Sequence, residues 1–217
     1  MPKKTFIFDL DGVIVDTAKY HFIAWKNLAN TLGIHFSEEE NEQLKGVSRV
    51  KSLEKILAWG NKTISKTQFQ ELMTKKNEEY LKYIDKMDKS EILPDVEKTL
   101  HYLISKQQHI ALGSASKNAK PILEKVGLLH MFQVIVDGNE VTKAKPNPEV
   151  FLKGAEALGA LPKDCIVFED SVSGVEAANR AGMLSIGIGS KEVLGHANFV
   201  FKDFTEISED FLKRIIK

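Results

Sequence analysis

Six short apolar runs punctuate the sequence, at residues 5–8, 110–112, 132–136, 165–168, 184–188 and 199–201. Each is rich in Val, Ile or Phe and too short to be a helix, so each reads as a buried strand. Between the later runs lie helical stretches at 119–126, 148–158 and 172–181, closed by Gly127, Gly159 and Gly182. Glycine is favoured just past a helix end because it enters the left-handed conformation without strain. Strand and helix in regular alternation call for crossover connections, and the α/β fold that accommodates them is a doubly wound, mostly parallel sheet with helices on both faces.

One interval breaks the alternation. Residues 16–93 hold no convincing strand and read as helical. Phe22, Trp25, Leu28, Ala29 and Leu32 recur at helical spacing before Gly33, Leu53, Ile56 and Leu57 do so within 52–59, and Leu72, Met73, Tyr80 and Leu81 within 69–84. Such stripes are the core of a small helical bundle, although Trp25 suits a binding wall as well. The expected organisation is an α/β core of 1–15 and 94–217, interrupted after its first strand by a helical cap at 16–93.

Composition narrows the setting. Thirty Lys plus Arg balance thirty Asp plus Glu, which argues against a nucleic-acid partner or a polybasic membrane surface. Cys165 is the single cysteine, so no intrachain disulfide and no cysteine-rich zinc site can form, and a reducing compartment is expected. The apolar stretch near the N-terminus stops at Phe8, far short of a signal-peptide core of about 7 to 15 residues. No segment approaches the roughly 20 apolar residues of a membrane span. A cytoplasmic protein without membrane or nucleic-acid partners is the expectation.

In open α/β sheets, ligands bind beyond the carboxyl ends of the strands, so polar residues there are the candidates. The first strand runs into Asp9-Leu10-Asp11-Gly12. Two carboxylates so placed can act as nucleophile and as general acid/base, or as metal ligands; a plain turn or helix cap is the alternative. The second run leads to Ser114-Ala115-Ser116-Lys117-Asn118, either an anion-binding helix start or ordinary Ser and Asn capping. Lys145, held before Pro146, can reach a phosphoryl oxygen or can be a solvated surface lysine. The fourth run delivers Glu169-Asp170, a costly pair to bury unless a cation such as Mg²⁺ joins it. Each feature is ambiguous alone. Together, at consecutive strand ends, they suit phosphoryl transfer: an attacking carboxylate, an acid/base, donors for the phosphoryl oxygens and a charge-offsetting metal.

This order of residues resembles the haloacid dehalogenase superfamily, whose four motifs match Asp9/Asp11, Ser114, Lys145 and Glu169/Asp170 along essentially the whole chain. Dehalogenases proper lack the second aspartate, so Asp11 points to phosphatase or phosphomutase chemistry. Further stretches are similar to the β-phosphoglucomutase subfamily: Phe8 to Val13, Thr17, Tyr20-His21-Phe22, Trp25, Leu44 to Arg49, Ser52, Lys76-Asn77 and Ala115 to Asn118. That resemblance implies a Mg²⁺-dependent isomerase interconverting β-D-glucose 1-phosphate and glucose 6-phosphate, through an aspartyl phosphate and a β-glucose 1,6-bisphosphate intermediate. It implies Asp9 as nucleophile and Asp11 as general acid/base. Mg²⁺ would sit at Asp9, Asp11 (through its backbone carbonyl), Glu169 and Asp170, with Ser114 and Lys145 on the transferring phosphoryl group. Arg49, Ser116, Lys117 and Asn118, next to Ala115, would take the distal phosphate. Gly46, Val47, Trp25, Ser52 and Lys76 would line the sugar from the cap, and Thr17 and His21 would couple cap closure to Asp11. Sugar phosphates are the implied small-molecule partners, and a monomer is expected. The alternative is a sugar-phosphate phosphatase of the same superfamily. Three positions depart from the pattern: Asp95 stands where Gly is usual, and Gly113 and Asn139 also differ.

Overall fold

The computed structural model describes residues 3–217; Met1 and Pro2, at the start of the expected core segment 1–15, lie outside the described residues. Among the described residues six strands form one sheet: β1 (Thr5–Phe8), β2 (His109–Gly113), β3 (Val134–Val136), β4 (Cys165–Glu169), β5 (Leu184–Ile188) and β6 (Phe199–Phe201). Their order is β3-β2-β1-β4-β5-β6, and every ladder is parallel. Between β1 and β2 lie α1 (Ala18–Thr31), α2 (Glu38–Glu42), α3 (Arg49–Trp59), α4 (Lys66–Ile84) and α5 (Val96–Ser105). Then follow α6 (Ala119–Lys125), α7 (Glu149–Ala157), α8 (Val172–Arg180), α9 (Lys191–Leu194) and α10 (Glu209–Ile216).

The period-two alternation of a strand sorts its side chains between two faces. Phe6 and Phe8 of β1, Ile110 and Leu112 of β2 and Ile166 and Phe168 of β4 join a cluster closed by α5, α6 and α10. Ile7, Ala111 and Val167, on the intervening positions, meet Phe151 of α7 and Ala177 and Ala178 of α8. Both faces are therefore covered, as continuous apolar runs require. Phe8 stacks on Phe168 with ring centroids 4.7 Å apart.

Two sequence expectations shift. The third strand begins at Val134 rather than at residue 132, because 129–131 form a 3₁₀ turn that Phe132 ends. Helices α5 and α10 lie where no helix was expected, each presenting an apolar stripe, Val96, Leu100 and Leu103 in one and Phe211 and Leu212 in the other.

The segment between β1 and β2 carries its own apolar cluster, in which Trp25, Leu28 and Ala29 of α1 meet Phe36 and Leu53, Ile56 and Leu57 of α3. Ala24, Tyr80, Ile84 and Met87 pack instead with the large cluster on the sheet. The chain returns through Pro94 and Asp95. Asp95 takes a left-handed conformation (φ 58°, ψ 8°), which explains why glycine suits this turn; Asp adopts it at a cost of about 1 kcal/mol.

Candidate active site

The sheet order places the reversal of winding beside β1, with β2 and β3 added on one side and β4 to β6 on the other. Crevices form at such a point beyond the carboxyl ends. Register sharpens the placement. Phe8 pairs with Leu112 and with Phe168, so Asp9, Gly113 and Glu169 end their strands side by side, and the Asp9 N–H donates to the Phe168 carbonyl at 3.0 Å.

Lys145, which follows β3 in the chain, reaches into this row. Its Nζ donates to Asp9 Oδ1 at 2.5 Å, to Glu169 Oε1 at 2.5 Å and to the Gly113 carbonyl at 3.2 Å. Lys145 is 5% exposed and Glu169 wholly buried, so the solvated-lysine alternative falls away. Burial opposes charge on this lysine, but the Asp9 and Glu169 carboxylates hold its pKa above the ordinary value. Burial pushes the Asp9 carboxyl up to about 7, with Glu169 and Asp11 adding to the shift and Lys145 opposing it. Lys145→Ala removes the cation and leaves two buried carboxylates uncompensated, which costs about 3 to 5 kcal/mol. The check is chemical unfolding without divalent metal; an unchanged midpoint would refute the assignment of this ion pair.

Glu169 accepts hydrogen bonds at both oxygens. Its Oε2 accepts the Ser171 N–H at 2.9 Å and the Ser171 hydroxyl at 2.8 Å. The carboxyl lies against α8, where a Cβ on Gly174 would come within 1.9 Å of it, so glycine is required there. Asp170 is placed differently. A Cβ on Gly12 would lie 2.2 Å from Asp170 Oδ2, so Asp170 rests on the Asp11–Gly12 backbone, and the positive φ of 79° at Gly12 is a second reason for glycine. The Lys45 ammonium stands 3.8 Å from the same oxygen. Burial, then Glu169 and Asp9, hold Asp170 well above the usual carboxylate range.

Asp11 accepts a hydrogen bond from the Thr17 hydroxyl, and His21 Nε2 lies 3.8 Å from the same oxygen. Burial raises the Asp11 pKa against the pull of Thr17 and Lys76. His21 Nδ1 is 2.7 Å from Lys76 Nζ. An ammonium only donates, so opposite charged Lys76 the imidazole is neutral, accepts at Nδ1 and turns its N–H toward Asp11. Burial, then Lys76 and Arg49, push the His21 pKa well below its ordinary value. Lys76 is itself 1% exposed, brought down to about 7 by burial and then Arg49. It lies 4.8 Å from the Trp25 ring and 4.7 Å from the Tyr80 ring.

These groups open on one cavity of about 590 Å³. Fifteen of the expected site residues line it: Asp9, Asp11, His21, Trp25, Gly46, Val47, Arg49, Ser52, Lys76, Ser114, Ala115, Ser116, Lys117, Lys145 and Asp170. Thr17, Asn118 and Glu169 stand one layer back, bonded respectively to Asp11, Asn77 and Lys145. Trp25 both packs in the helical cluster and lines the cavity. The Ser52 hydroxyl donates to the Ser48 carbonyl at 3.1 Å, so it shapes a helix as well as a wall. Sequence reasoning missed Lys45 and Ser171. The second had a legible signal, since a Ser directly after Glu169-Asp170 and three residues before Gly174 is placed to cap α8, which it does.

A family model described as haloacid dehalogenase-like hydrolase matches residues 3–182. The chain is 39% identical to a β-phosphoglucomutase of Bacillus subtilis, over 96% of this chain and 93% of that protein. It is 31% identical to a phosphorylated carbohydrates phosphatase of Thermotoga maritima, over 82% of this chain and 81% of that one. A crystal structure of β-phosphoglucomutase from Clostridium difficile superposes with a TM-score of 0.95 at 39% identity, covering 99% of this chain and 97% of that one. With the acid pair, the serine, the buried lysine and the second acid pair at successive strand ends, and a family match spanning most of its length, the chain belongs to the haloacid dehalogenase-like hydrolases.

Proposed function

We propose that this protein is a Mg²⁺-dependent β-phosphoglucomutase, interconverting β-D-glucose 1-phosphate and D-glucose 6-phosphate through phosphorylated Asp9 and a β-glucose 1,6-bisphosphate intermediate. The observation that carries the reading is the presence of two sets of phosphate donors on one cavity. Ser114 and Lys145 accompany Asp9, whereas Arg49 and Lys117 form no ion pair with a carboxylate among the described residues. A hydrolase of monophosphates has no need of the second set; a mutase that handles a bisphosphate does.

The donor chemistry fits a hard divalent cation. Asp9, the Asp11 carbonyl and Asp170 offer oxygen ligands of the kind Mg²⁺ takes, and Asp170 has just one cationic neighbour within 4 Å among the described residues. Glu169 is the fourth proposed ligand: its Oε1 accepts from Lys145 and its Oε2 from Ser171, and a carboxylate oxygen that accepts one hydrogen bond keeps a lone pair for a cation. When bound, the cation offsets charge on the transferring phosphoryl group.

The chain's own residues supply the remainder. An Asp9 Oδ attacks phosphorus; the bond from phosphorus to the sugar oxygen breaks, and that oxygen takes the proton that Asp11 holds. In the second half the proton returns to Asp11 as a sugar hydroxyl attacks the aspartyl phosphate. Lys145 and Ser114 hold the phosphoryl oxygens, and Arg49, Ser116, Lys117 and Asn118 grip the distal phosphate. Gly46, Val47, Trp25, Ser52 and Lys76 line the sugar. We assign residues 16–93 to a cap on a core of 1–15 and 94–217, closing so that Thr17 releases Asp11 to face His21. Binding energy at the distal phosphate then drives closure, which favours a sugar over water as acceptor. Among the described residues no helix is long and apolar enough to cross a membrane, and the buried Cys165 is free; a cytoplasmic monomer accompanies this reading.

A coupled assay for glucose 6-phosphate, primed with the bisphosphate, tests the proposal. Formation of glucose 6-phosphate from the β anomer and not the α, with little inorganic phosphate, is expected. Inorganic phosphate released equally from many sugar phosphates would make the protein a sugar-phosphate phosphatase instead, in keeping with its likeness to the Thermotoga enzyme.

A further inference from the structure

Two donors from separate parts of the fold converge on a single oxygen. Arg49 Nη2, at the start of α3, donates to Asn77 Oδ1 at 2.6 Å. Asn118 Nδ2, at the N-terminus of α6 on the sheet, donates to the same Asn77 oxygen at 3.2 Å. Asn77 lies on α4 beside the buried Lys76. The choice of a carboxamide here is physically informative. An aspartate has the same shape and would accept both hydrogen bonds, the one from the guanidinium more strongly. It would also cancel the Arg49 charge. With Asn, the guanidinium is oriented but keeps its charge, and Arg49 enters no ion pair among the described residues.

We propose that Asn77 is a positioning residue for the distal phosphate: its neutral carboxamide gathers Arg49 and Asn118 at one point without discharging the guanidinium, and so reserves that charge for a phosphate dianion. The inference rests on the reading of Arg49 and Asn118 as distal-phosphate ligands. The oxygen they share in this structure stands in for a phosphate oxygen, so an incoming phosphate exchanges one acceptor for another and finds both donors already aimed. Preorganisation of this kind lowers the ordering cost of binding. It also makes the site selective for ligands with charge at both ends, since an uncharged end gains nothing from Arg49 over what Asn77 already provides.

The test compares Asn77→Asp and Asn77→Ala in the primed mutase assay, alongside hydrolysis of acetyl phosphate, which has no distal phosphate. Asn77→Asp is expected to raise KM for β-glucose 1-phosphate about tenfold or more, the equivalent of roughly 1.4 kcal/mol. Asn77→Ala, which loses orientation but keeps the charge free, is expected to raise it by a smaller factor of about three. Acetyl phosphate hydrolysis stays at the wild-type rate in both. A purely structural role predicts the reverse order, because aspartate preserves the bonds that alanine removes. An Asn77→Asp KM at or below that of Asn77→Ala overturns the proposal. So does an unchanged KM for Asn77→Ala, which decides the matter even if the aspartate variant fails to fold. Arg49→Ala separates the two levels of inference. If it too leaves KM unaltered, the distal-phosphate reading is at fault; if it raises KM while Asn77→Asp does not, the fault lies with the role of Asn77.

Discussion

Asp9→Asn is expected to lower turnover by at least about 10⁴-fold, the scale on which removal of a catalytic nucleophile acts, while leaving a folded protein. The amide is nearly isosteric but lacks the electron-rich oxygen that attacks phosphorus. The fold survives because Lys145 keeps its 2.5 Å contact with Glu169, so no buried charge is stranded. Intact-protein mass spectrometry after exposure to acetyl phosphate or to the bisphosphate makes the effect specific. Wild type gains the mass of one phosphoryl group and the variant gains none. Full turnover, or undiminished phosphorylation elsewhere in the chain, would sink the mechanism.

Asp11→Ala is expected to reduce phosphoryl transfer between sugars by about 10² to 10⁴-fold, the range for loss of a positioned general acid/base. The site favours that role. Burial raises the Asp11 pKa, so the carboxyl retains a proton closer to neutrality than an exposed aspartate does, and Thr17 and neutral His21 flank one oxygen. Two properties should survive the change. Mg²⁺ affinity, measured by titration calorimetry, should persist, because the proposed ligand is the backbone carbonyl. Phosphorylation of Asp9 by acetyl phosphate should persist as well, because an acyl leaving group departs without a proton. Equal loss of sugar and acetyl phosphate reactivity would show that Asp11 builds the site rather than moving a proton.

Much of the fold was legible in order and much less in detail. Strands β1 and β6 were readable to the residue because each apolar run is bounded by polar positions, and β5 because its run lies between Gly182-Met183 and Gly189. β3 was read two residues too long, since Phe132 and Gln133 look like strand but follow a 3₁₀ turn. The apolar positions of α5 and α10 are interleaved with charged residues in short segments, a weak signal until the sheet offers a surface to cover. The turn at Asp95 was readable as irregular but not as left-handed.

The acids of the site were visible because Asp9, Asp11, Glu169 and Asp170 adjoin strand ends, a place that local pattern alone reveals. Which of the candidate cations and amides would pair with them, or with one another, was not. Lys145 lies 136 residues from Asp9, and Arg49, Asn77 and Asn118 come from three helical elements that sequence spacing does not relate. The amino-acid order by itself determined the strand-helix alternation, the helical interruption and the row of carboxylates at the sheet's carboxyl edge, because these depend on periodicity and on residues adjacent in the chain. Tertiary structure alone decided which cation meets which acid, which lysine loses its solvent and which guanidinium keeps its charge. Those outcomes depend on burial and on distances of a few ångströms between segments far apart in the chain, where removal of water makes each pairing strong enough to matter.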